Sequence, residues 1–417
     1  MGLAAGVPSR RSDRRARANP PEWAESTPLR QALTARAGEA LREGEDSAAR
    51  VLESSLRTRE RIERATHGFH AYPAGLHPDG AAALLTLGEG PVLDPFCGGG
   101  TVLVEALLAG RSALGCDINP VATLVARART TRTTEAERTA LRGLARRAAD
   151  AARRAGLNNA DSGGRNTSML RGPVPELLWD WYDPWVVCEL DALRDVVGND
   201  PLGRAVLSSI LVKVSRRESE TANHRTTEAR PPTTTATLFH KRAREFARQL
   251  EDLAGKVGEG AEPRVRVHRE DARELREREE FGMVVTSPPY PGVYDYLPLQ
   301  QLRFAWLGLD PGQALADEVG SRRAFKTDRN EATAAWKRDT ARWVKVTARA
   351  LRPGGRMAVV IGDGLVGGRP VDSLGPLGEA ARAEGLVRVA RATVERWDEG
   401  VERMRPEHAV LYERAST

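Results

Sequence analysis

The chain has 417 residues, of which 41% are hydrophobic and 29% are charged, and its formal net charge is +6. This length favours one large elaborated domain or two smaller ones, and no apolar run approaches the roughly 20 residues that cross a bilayer, which excludes a membrane span. Nearly all basic residues are arginine, whose planar side chain suits phosphate contacts, but this composition favours a nucleic-acid partner only weakly.

The first residues are predicted to lie outside the main domain. Residues 1–25 carry arginines without the apolar core of a secretory signal, which predicts a disordered basic tail and a cytoplasmic protein. Residues 26–66 show helical spacing with many charges, which indicates a solvated helical extension. The three cysteines, Cys97, Cys116 and Cys188, are far apart and odd in number, so we expect reduced thiols and no metal site.

An α/β alternation begins at residues 67–129. A short apolar strand at 91–96 is followed by a glycine-rich turn and a helix over 102–109. A second strand is predicted at 112–116, before a helix that begins at Pro120. This βαβ pattern predicts a Rossmann-like α/β fold with ligand-binding loops at the carboxyl ends of its strands.

Residues 130–262 interrupt the alternation with long helices rich in arginine and alanine, and we interpret them as a helical insertion. The alternation resumes over 263–417, which brings the predicted total to about seven strands. The strands expected there are 264–268, 283–286, 357–361, 387–394 and 408–412.

Three features of the α/β segments suit a nucleoside ligand. The glycines after Asp94 permit a close backbone approach, and the helix that follows favours the carboxylate of an amino-acid-like ligand. Asp117 ends the second strand, where an acid can accept both ribose hydroxyls. Asp271 follows the strand at 264–268, where it is placed to accept an adenine amino group, although a solvated loop acid or helix cap is the commoner role for such a residue.

These segments resemble a known family. DPFCGGGT, Asp94–Thr101, resembles motif I of the DNA amino-methyltransferases, and GCDINP resembles their acidic motif II. Residues 67–78 are similar to the segment that closes over the methionine end of the cofactor in that family. The resemblance implies a class I fold that binds S-adenosyl-L-methionine, and the cofactor-binding residues it implies are Asp94, Pro95, Phe96, Gly98, Gly100, Thr101, Asp117, Ile118, Asp271, His70 and Tyr72. His70 and Tyr72 are equally compatible with ordinary packing.

The segment TSPPY, which ends at Tyr290, follows an apolar strand. Consecutive prolines fix φ and remove two backbone donors, so the loop is predicted to be a rigid rim of acceptors. The Ser287 side chain and the Pro288 carbonyl are placed to accept the two N–H groups of an exocyclic base amine, with Pro289 completing the loop. Tyr290 is expected to stack on a base swung out of its helix. In an arbitrary chain, a stiffened strand exit with a buried tyrosine is the commoner explanation.

TSPPY resembles motif IV of the same family, in which serine at the first position is more typical of cytosine-N4 than of adenine-N6 enzymes. The candidate substrate contacts are Tyr294 and Tyr296 near the base, and Arg216 and Arg217 with other basic residues of 213–250. A solvated helix face explains the basic residues equally well, and core packing is the favoured interpretation of Trp306.

The sequence therefore predicts a methyltransferase of an exocyclic amine on DNA, with cytosine-N4 favoured over adenine-N6. Residues 67–129 form its cofactor-binding half and residues 263–417 its catalytic half. An RNA enzyme of the guanine-N2 type and a non-catalytic nucleic-acid-binding relative are the alternatives. The oligomeric state, the recognition element and a partner nuclease stay open.

Overall fold

The computed structural model describes most of the chain beyond residue 33. The described residues are 34–58, 62–73, 75–161, 168, 170–220, 225–227, 229–258, 263–398 and 405–416. The predicted tail at residues 1–25 lies outside them. None of the helices within these ranges combines the length and apolarity that crossing a membrane requires.

A mixed eight-stranded sheet forms the centre of the fold. Its strands are β1 (Thr34–Gly44), β2 (Val92–Asp94), β3 (Ala113–Cys116), β4 (Val265–His268), β5 (Phe281–Thr286), β6 (Leu351–Gly362), β9 (Leu386–Asp398) and β10 (Arg405–Arg414), while β7 (Gly364–Val366) and β8 (Arg369–Val371) form a separate hairpin. The order in the sheet is β4-β3-β2-β5-β6-β10-β9-β1. The five strands from β4 to β6 are parallel, whereas β10 is antiparallel to both of its neighbours.

The chain leaves β2 towards β3 and β4 on one side and later builds β5 and β6 on the other. This change of direction creates a topological switch point between β2 and β5, where the loops at the carboxyl ends of the strands diverge. The expected Rossmann-like α/β fold is confirmed, with one more strand in the sheet than predicted.

Helices cover both faces of the sheet, and its central strands β2, β3 and β5 are buried along their whole length. Leu52, Leu84 and Leu103 contribute to the core on one face, and Trp343 and Leu377 to the core on the other. The helices are α1 (Asp46–Arg57), α2 (Pro78–Leu85), α3 (Thr101–Leu108), α4 (Pro120–Thr130), α5 (Glu135–Asp161), α6 (Glu176–Trp179), α7 (Pro184–Val197), α8 (Pro201–Val214), α9 (Thr234–Val257), α10 (Tyr296–Leu299), α11 (Gln301–Leu307), α12 (Ala314–Asp317), α13 (Arg322–Thr327), α14 (Arg329–Ala350) and α15 (Leu374–Ala383).

Strand β1 corrects the expectation of a helical extension over 26–66. Among the described residues of this range α1 is the one helix, and β1 pairs antiparallel with β9. Without β1, the backbone N–H and C=O groups along one edge of β9 would be unpaired. The hydrogen bonds between β1 and β9 therefore outweigh the helical spacing of the β1 sequence. Gly44, at φ +85°, ends the strand where a Cβ would lie 2.2 Å from the carbonyl oxygen of Val389.

Helices α5, α7, α8 and α9 share a core of their own, separate from the two cores of the sheet. Trp306 is 0% exposed and lies within this core, as expected from the sequence. Because Trp306 belongs to α11, which follows β5 in the chain, the insertion is packed directly against the segment that follows the TSPPY loop.

A buried arginine reinforces this junction. Arg303 of α11 is fully buried and donates two hydrogen bonds of 2.8 Å to the carboxylate of Glu220. Its Nε also donates to the carbonyl of Ser208 in α8, at 3.0 Å. The charge is therefore compensated inside the protein, where an unpaired one would be costly.

Arg303→Met is expected to lower the free energy of unfolding by about 3 kcal/mol, because it leaves the Glu220 carboxylate without its partner in a mostly buried position. Arg338→Met is the control, since Arg338 pairs with Glu331 on the exposed surface and its loss costs at most about 0.5 kcal/mol. Urea unfolding followed by tryptophan fluorescence measures both. Equal losses in the two variants would contradict the role of Arg303.

Candidate functional site

A cleft of about 920 Å³, including the space open to solvent, lies at the switch point. Loops from the carboxyl ends of β2, β3, β4 and β5 line it, as expected for a ligand site in a sheet of this kind. The predicted site residues that line the cleft are Asp94, Pro95, Phe96, Gly98, Thr101, Asp117, Ile118, Asp271, Tyr72, Ser287, Pro289 and Tyr296.

Asp117, which directly follows β3, holds the glycine-rich turn. Asp117 accepts hydrogen bonds from the backbone N–H groups of Gly98, at 3.0 Å, and Asn119, at 2.8 Å. Gly98 and Gly100 have φ of +48° and +81°, which is why glycines are needed in this turn. Burial raises the pKa of Asp117 to about 6. Gly100 itself caps α3 and packs against Ala126 rather than lining the cleft.

The Asp94 side chain connects the end of β2 to the end of β5 at the switch point. Its carboxylate accepts a hydrogen bond of 2.8 Å from the hydroxyl of Thr286, the last residue of β5, and one of 3.2 Å from the N–H of Phe96. Burial raises the pKa of Asp94 to about 7. Thr286, which precedes Ser287 directly, was not singled out from the sequence, yet this bond fixes where the TSPPY loop begins.

The segment before β2 closes one side of the cleft. Tyr72 packs against the glycine-rich turn, so that a Cβ on Gly99 would lie 2.9 Å from the Tyr72 Cβ, and the Tyr72 hydroxyl accepts a hydrogen bond of 3.1 Å from Asn119. Arg129 of α4, a residue that the sequence did not mark, is buried and donates to the carbonyls of Gly99 and His70, at 2.9 and 2.6 Å. It thereby ties this segment to the turn.

His70 departs from its expected contact with the cofactor. Its ring is buried, and Nε2 lies 2.9 Å from the hydroxyl of Ser208 in α8, outside the residues that line the cleft. The cause is the packing of the helical insertion, which draws His70 away from the cleft while Tyr72, two residues later, faces it.

The TSPPY loop enters the cleft through two of its members. Ser287 and Pro289 line the cavity, and the Ser287 side chain makes no hydrogen bond within the described ranges, so its oxygen is available to a ligand. Pro288 is buried beside them. Tyr290 departs from expectation: its hydroxyl donates to Glu407 at 3.0 Å, and the Arg396 guanidinium covers its ring at 4.9 Å.

Tyr296 is the tyrosine of this segment that lines the cleft, and the ring of Tyr294 packs against it with the ring centroids 5.6 Å apart.

The two arginines expected to contact substrate are engaged elsewhere. Arg217 is buried and donates to the carbonyl of Leu299, while Arg216 donates to the buried carboxylate of Asp183 at 2.5 Å. The structure therefore corrects the substrate role of Arg217 in particular, because its guanidinium satisfies the backbone of the protein itself.

The cleft is strongly acidic. Two acids that were not predicted also line the cleft: Asp317 is the last residue of α12, and Glu318 follows it directly. Burial raises the pKa of Glu318 to about 7. Asp271 lines the cavity too, but Arg273 holds its carboxylate by side-chain hydrogen bonds of 3.0 and 2.6 Å. With Asp94 and Asp117 this makes five carboxylates, and none of the described residues lining the cleft is lysine, arginine or histidine. Such a site favours a cation and disfavours phosphate.

Comparison with known proteins adds a domain assignment. Residues 68–165 match the family described as "RMKL-like, methyltransferase domain". Among curated proteins, the Type II methyltransferase M.MvaI of Kocuria varians is 39% identical over 72 residues, which cover 16% of this chain and 16% of that protein. The matched stretch is thus a small part of the curated relative.

Two solved structures align with the chain at low similarity. TrmN from Thermus thermophilus is 13% identical and aligns over 82% of this chain and 50% of its own, with a TM-score of 0.30. The rRNA methyltransferase aviRa from Streptomyces viridochromogenes is 12% identical over 84% of this chain and 90% of its own, with a TM-score of 0.31. Scores this low support no conclusion about activity. The strand order and the domain match identify the fold as the Rossmann-like class I fold of S-adenosyl-L-methionine-dependent methyltransferases.

The residues of the cleft fit S-adenosyl-L-methionine, the cofactor of this fold. Its sulfonium and ammonium groups are cations, which the five carboxylates favour, and it carries no phosphate that they would repel. Phe96 and Ile118 supply apolar surface beside Asp117, as an adenosine requires.

Arg129→Met is expected to loosen residues 67–73 and to increase their amide hydrogen exchange, because it leaves three buried carbonyls without a donor. Arg127→Met, on the same helix, is the control, since within the described part of the chain the Arg127 side chain donates to the carbonyl of Val267 alone. Exchange measured by mass spectrometry should increase in these residues in the first variant alone. Unchanged protection there would show that Arg129 does not hold the segment.

Proposed function

We propose that this protein is an S-adenosyl-L-methionine-dependent methyltransferase that modifies an exocyclic amine of a DNA base, with cytosine-N4 favoured over adenine-N6. The observation that carries the proposal is that Ser287 and Pro289 line the same cleft as Gly98 and Asp117. A glycine-rich cofactor turn and a proline-bounded acceptor loop, nearly 190 positions apart in the sequence, therefore face one cavity. DNA and the choice of base rest on the resemblance of TSPPY to motif IV.

Asp117, with Ile118 and Phe96 beside it, is proposed to hold the adenosine, and the turn at Gly98 with the start of α3 to receive the methionine carboxylate. Bound there, S-adenosyl-L-methionine supplies an electrophilic methyl group. Tyr72 covers the turn and keeps water from that end of the cleft. Asp271 retains only a small capacity to accept the adenine amino group, because Arg273 already occupies most of its carboxylate.

An exocyclic base amine is a weak nucleophile because its lone pair is delocalised into the ring. The Ser287 hydroxyl and the Pro288 carbonyl are proposed to accept its two N–H groups, which favours the more tetrahedral and electron-rich nitrogen. Asp94 fixes this loop through Thr286, so the acceptors are preorganised. The acidic cleft stabilises the positive charge that develops on the nitrogen, and the proton then leaves to solvent.

Tyr296, rather than Tyr290, is proposed to stack on the flipped base, since its ring lines the cleft. Tyr290 is proposed to support the loop from behind, because Glu407 and Arg396 hold its hydroxyl and its ring.

Ser287→Ala is expected to lower kcat about 100-fold while cofactor affinity stays unchanged, since it removes an acceptor that acts on the reacting amine. Ser47→Ala, an exposed position on α1, is the control and should keep full activity. The assay incubates the whole chain with labelled S-adenosyl-L-methionine and unmethylated genomic DNA or total RNA. Digestion to nucleosides then identifies the product by mass spectrometry.

N4-methylcytosine in the DNA arm would support the proposal in full, and N6-methyladenine would correct the base. Product in the RNA arm alone would replace DNA by RNA as the substrate. Cofactor binding without transfer in either arm would indicate the non-catalytic relative and overturn the enzyme.

Cofactor affinity is expected to depend on pH. Burial raises the pKa of Asp94 and Glu318 to about 7 and that of Asp117 to about 6, so these acids are partly protonated in mild acid and ionise as the pH rises. A cation binds better once they are ionised, so the Kd for S-adenosyl-L-methionine should fall about tenfold between about pH 5.5 and 8. Calorimetry with S-adenosylhomocysteine, which lacks the sulfonium charge, is the control and should show a smaller change. Identical pH profiles would contradict the electrostatic account.

A further inference from the structure

The chain between Pro289 and Tyr296, which both line the cleft, is packed between two elements. Gly292, at φ +69°, lies where a Cβ would be 2.5 Å from Val366 of the β7–β8 hairpin and 3.2 Å from the ring of Phe325 in α13. Its N–H donates to the carbonyl of Gly320 at 2.9 Å. The hairpin and α13 therefore flank the loop that carries the proposed amine acceptors.

Further contacts make these elements one surface. The N–H of Arg322, the first residue of α13, donates to the carbonyl of Tyr294, at 3.2 Å. Arg329, at the start of α14, donates to the carbonyl of Pro370 in β8, at 2.9 Å. The hairpin turns through exposed Gly367 and Gly368, both at positive φ. The tip of the hairpin is therefore exposed.

This surface carries four exposed basic side chains, of which Arg323 pairs with Asp295 and Glu318. The other three are Arg322, Lys326 and Arg369. None of them forms an ion pair or a side-chain hydrogen bond within the ranges that the structure describes. Arg322 and Lys326 are four residues apart on α13, so they point from one face of the helix. Nearby acids have other partners: Asp328 caps α14 and Asp372 caps α15. We call these three residues the basic rim.

We propose that the basic rim binds phosphates of the DNA strand that bears the target base. This inference rests on the proposed function and adds where the substrate lies. The cleft holds five carboxylates and repels a phosphate backbone, whereas the rim beside it attracts one. The charged phosphate backbone of the DNA is thereby held outside the cleft, and only the uncharged base enters it.

The helical insertion is less suited to this role than its arginine content suggests. Arg217 is buried, Arg216 bonds to Asp183, and Arg242 donates to backbone carbonyls and to Glu245. These guanidinium groups already have partners within the protein, so a phosphate would have to displace those partners in order to bind them.

The test compares two triple variants of the whole chain that lose the same charge. The rim variant is Arg322→Gln, Lys326→Gln and Arg369→Gln, and the control is Arg146→Gln, Arg147→Gln and Arg154→Gln, three exposed positions on α5. A fluorescently labelled mixed-sequence DNA duplex and an RNA hairpin are titrated by anisotropy over a range of salt concentrations. Calorimetry with S-adenosyl-L-methionine shows that each variant keeps its cleft.

The rim variant should lower the slope of log K against log salt for the duplex by about 1 per side chain removed, and raise the KM for DNA with little change in kcat. The control should match the unaltered chain. Equal slopes in all three proteins, a loss in the control variant, the absence of salt-dependent duplex binding, or rim-dependent binding of RNA alone would overturn the proposal.

The two proposals fail separately. If the unaltered chain methylates DNA but the rim variant keeps its salt slope and KM, only the rim is wrong. If the rim variant loses salt-dependent duplex binding but the unaltered chain transfers no methyl group, the rim stands and the enzymatic proposal fails.

Discussion

The hydrogen bond from the Thr286 hydroxyl to the Asp94 carboxylate is the contact on which the site depends. β2 and β5 are adjacent parallel strands, and the loops that follow them diverge at the switch point. Asp94 belongs to the glycine-rich segment and Thr286 precedes Ser287, so this buried bond joins the cofactor turn to the acceptor loop just beyond the last paired residues of the two strands. Its burial also makes that carboxylate sensitive to pH.

Charge is distributed unevenly around this junction. Carboxylates from β2, β3 and two later loops converge in the cleft, and the described residues that line it include no cationic side chain. The net charge of +6 therefore resides elsewhere, much of it in arginines that donate to backbone carbonyls, as Arg129 and Arg217 do. The chain as a whole is basic while its cleft is acidic, and only the local distribution bears on what the cleft binds.

The helical insertion is joined to the α/β core through polar contacts as well as packing. Arg303 bonds to Ser208 and Glu220, Arg242 of α9 donates to the carbonyl of Gly68, and His70 turns towards α8. The wall of the cleft at Tyr72 is therefore supported from the insertion side. These contacts connect the insertion to the segment that forms the cofactor end of the cleft.

The sequence by itself determined the α/β alternation, the glycine-rich turn and the TSPPY loop, because each depends on local spacing: apolar runs for strands, glycines for positive φ and prolines for a fixed loop. It did not determine β1, whose residues carry a helical pattern and became a strand only because β9 offered an edge.

Nor did it determine which side chains face the cleft. The sequence makes Tyr290 and Tyr296 equally plausible as the aromatic side chain that faces the cleft. In the structure Glu407 and Arg396, more than 100 positions after Tyr290, hold Tyr290 away from it. Glu318 enters from a loop without any motif. Tertiary structure decided these positions because they depend on contacts between distant segments, which short-range spacing does not record.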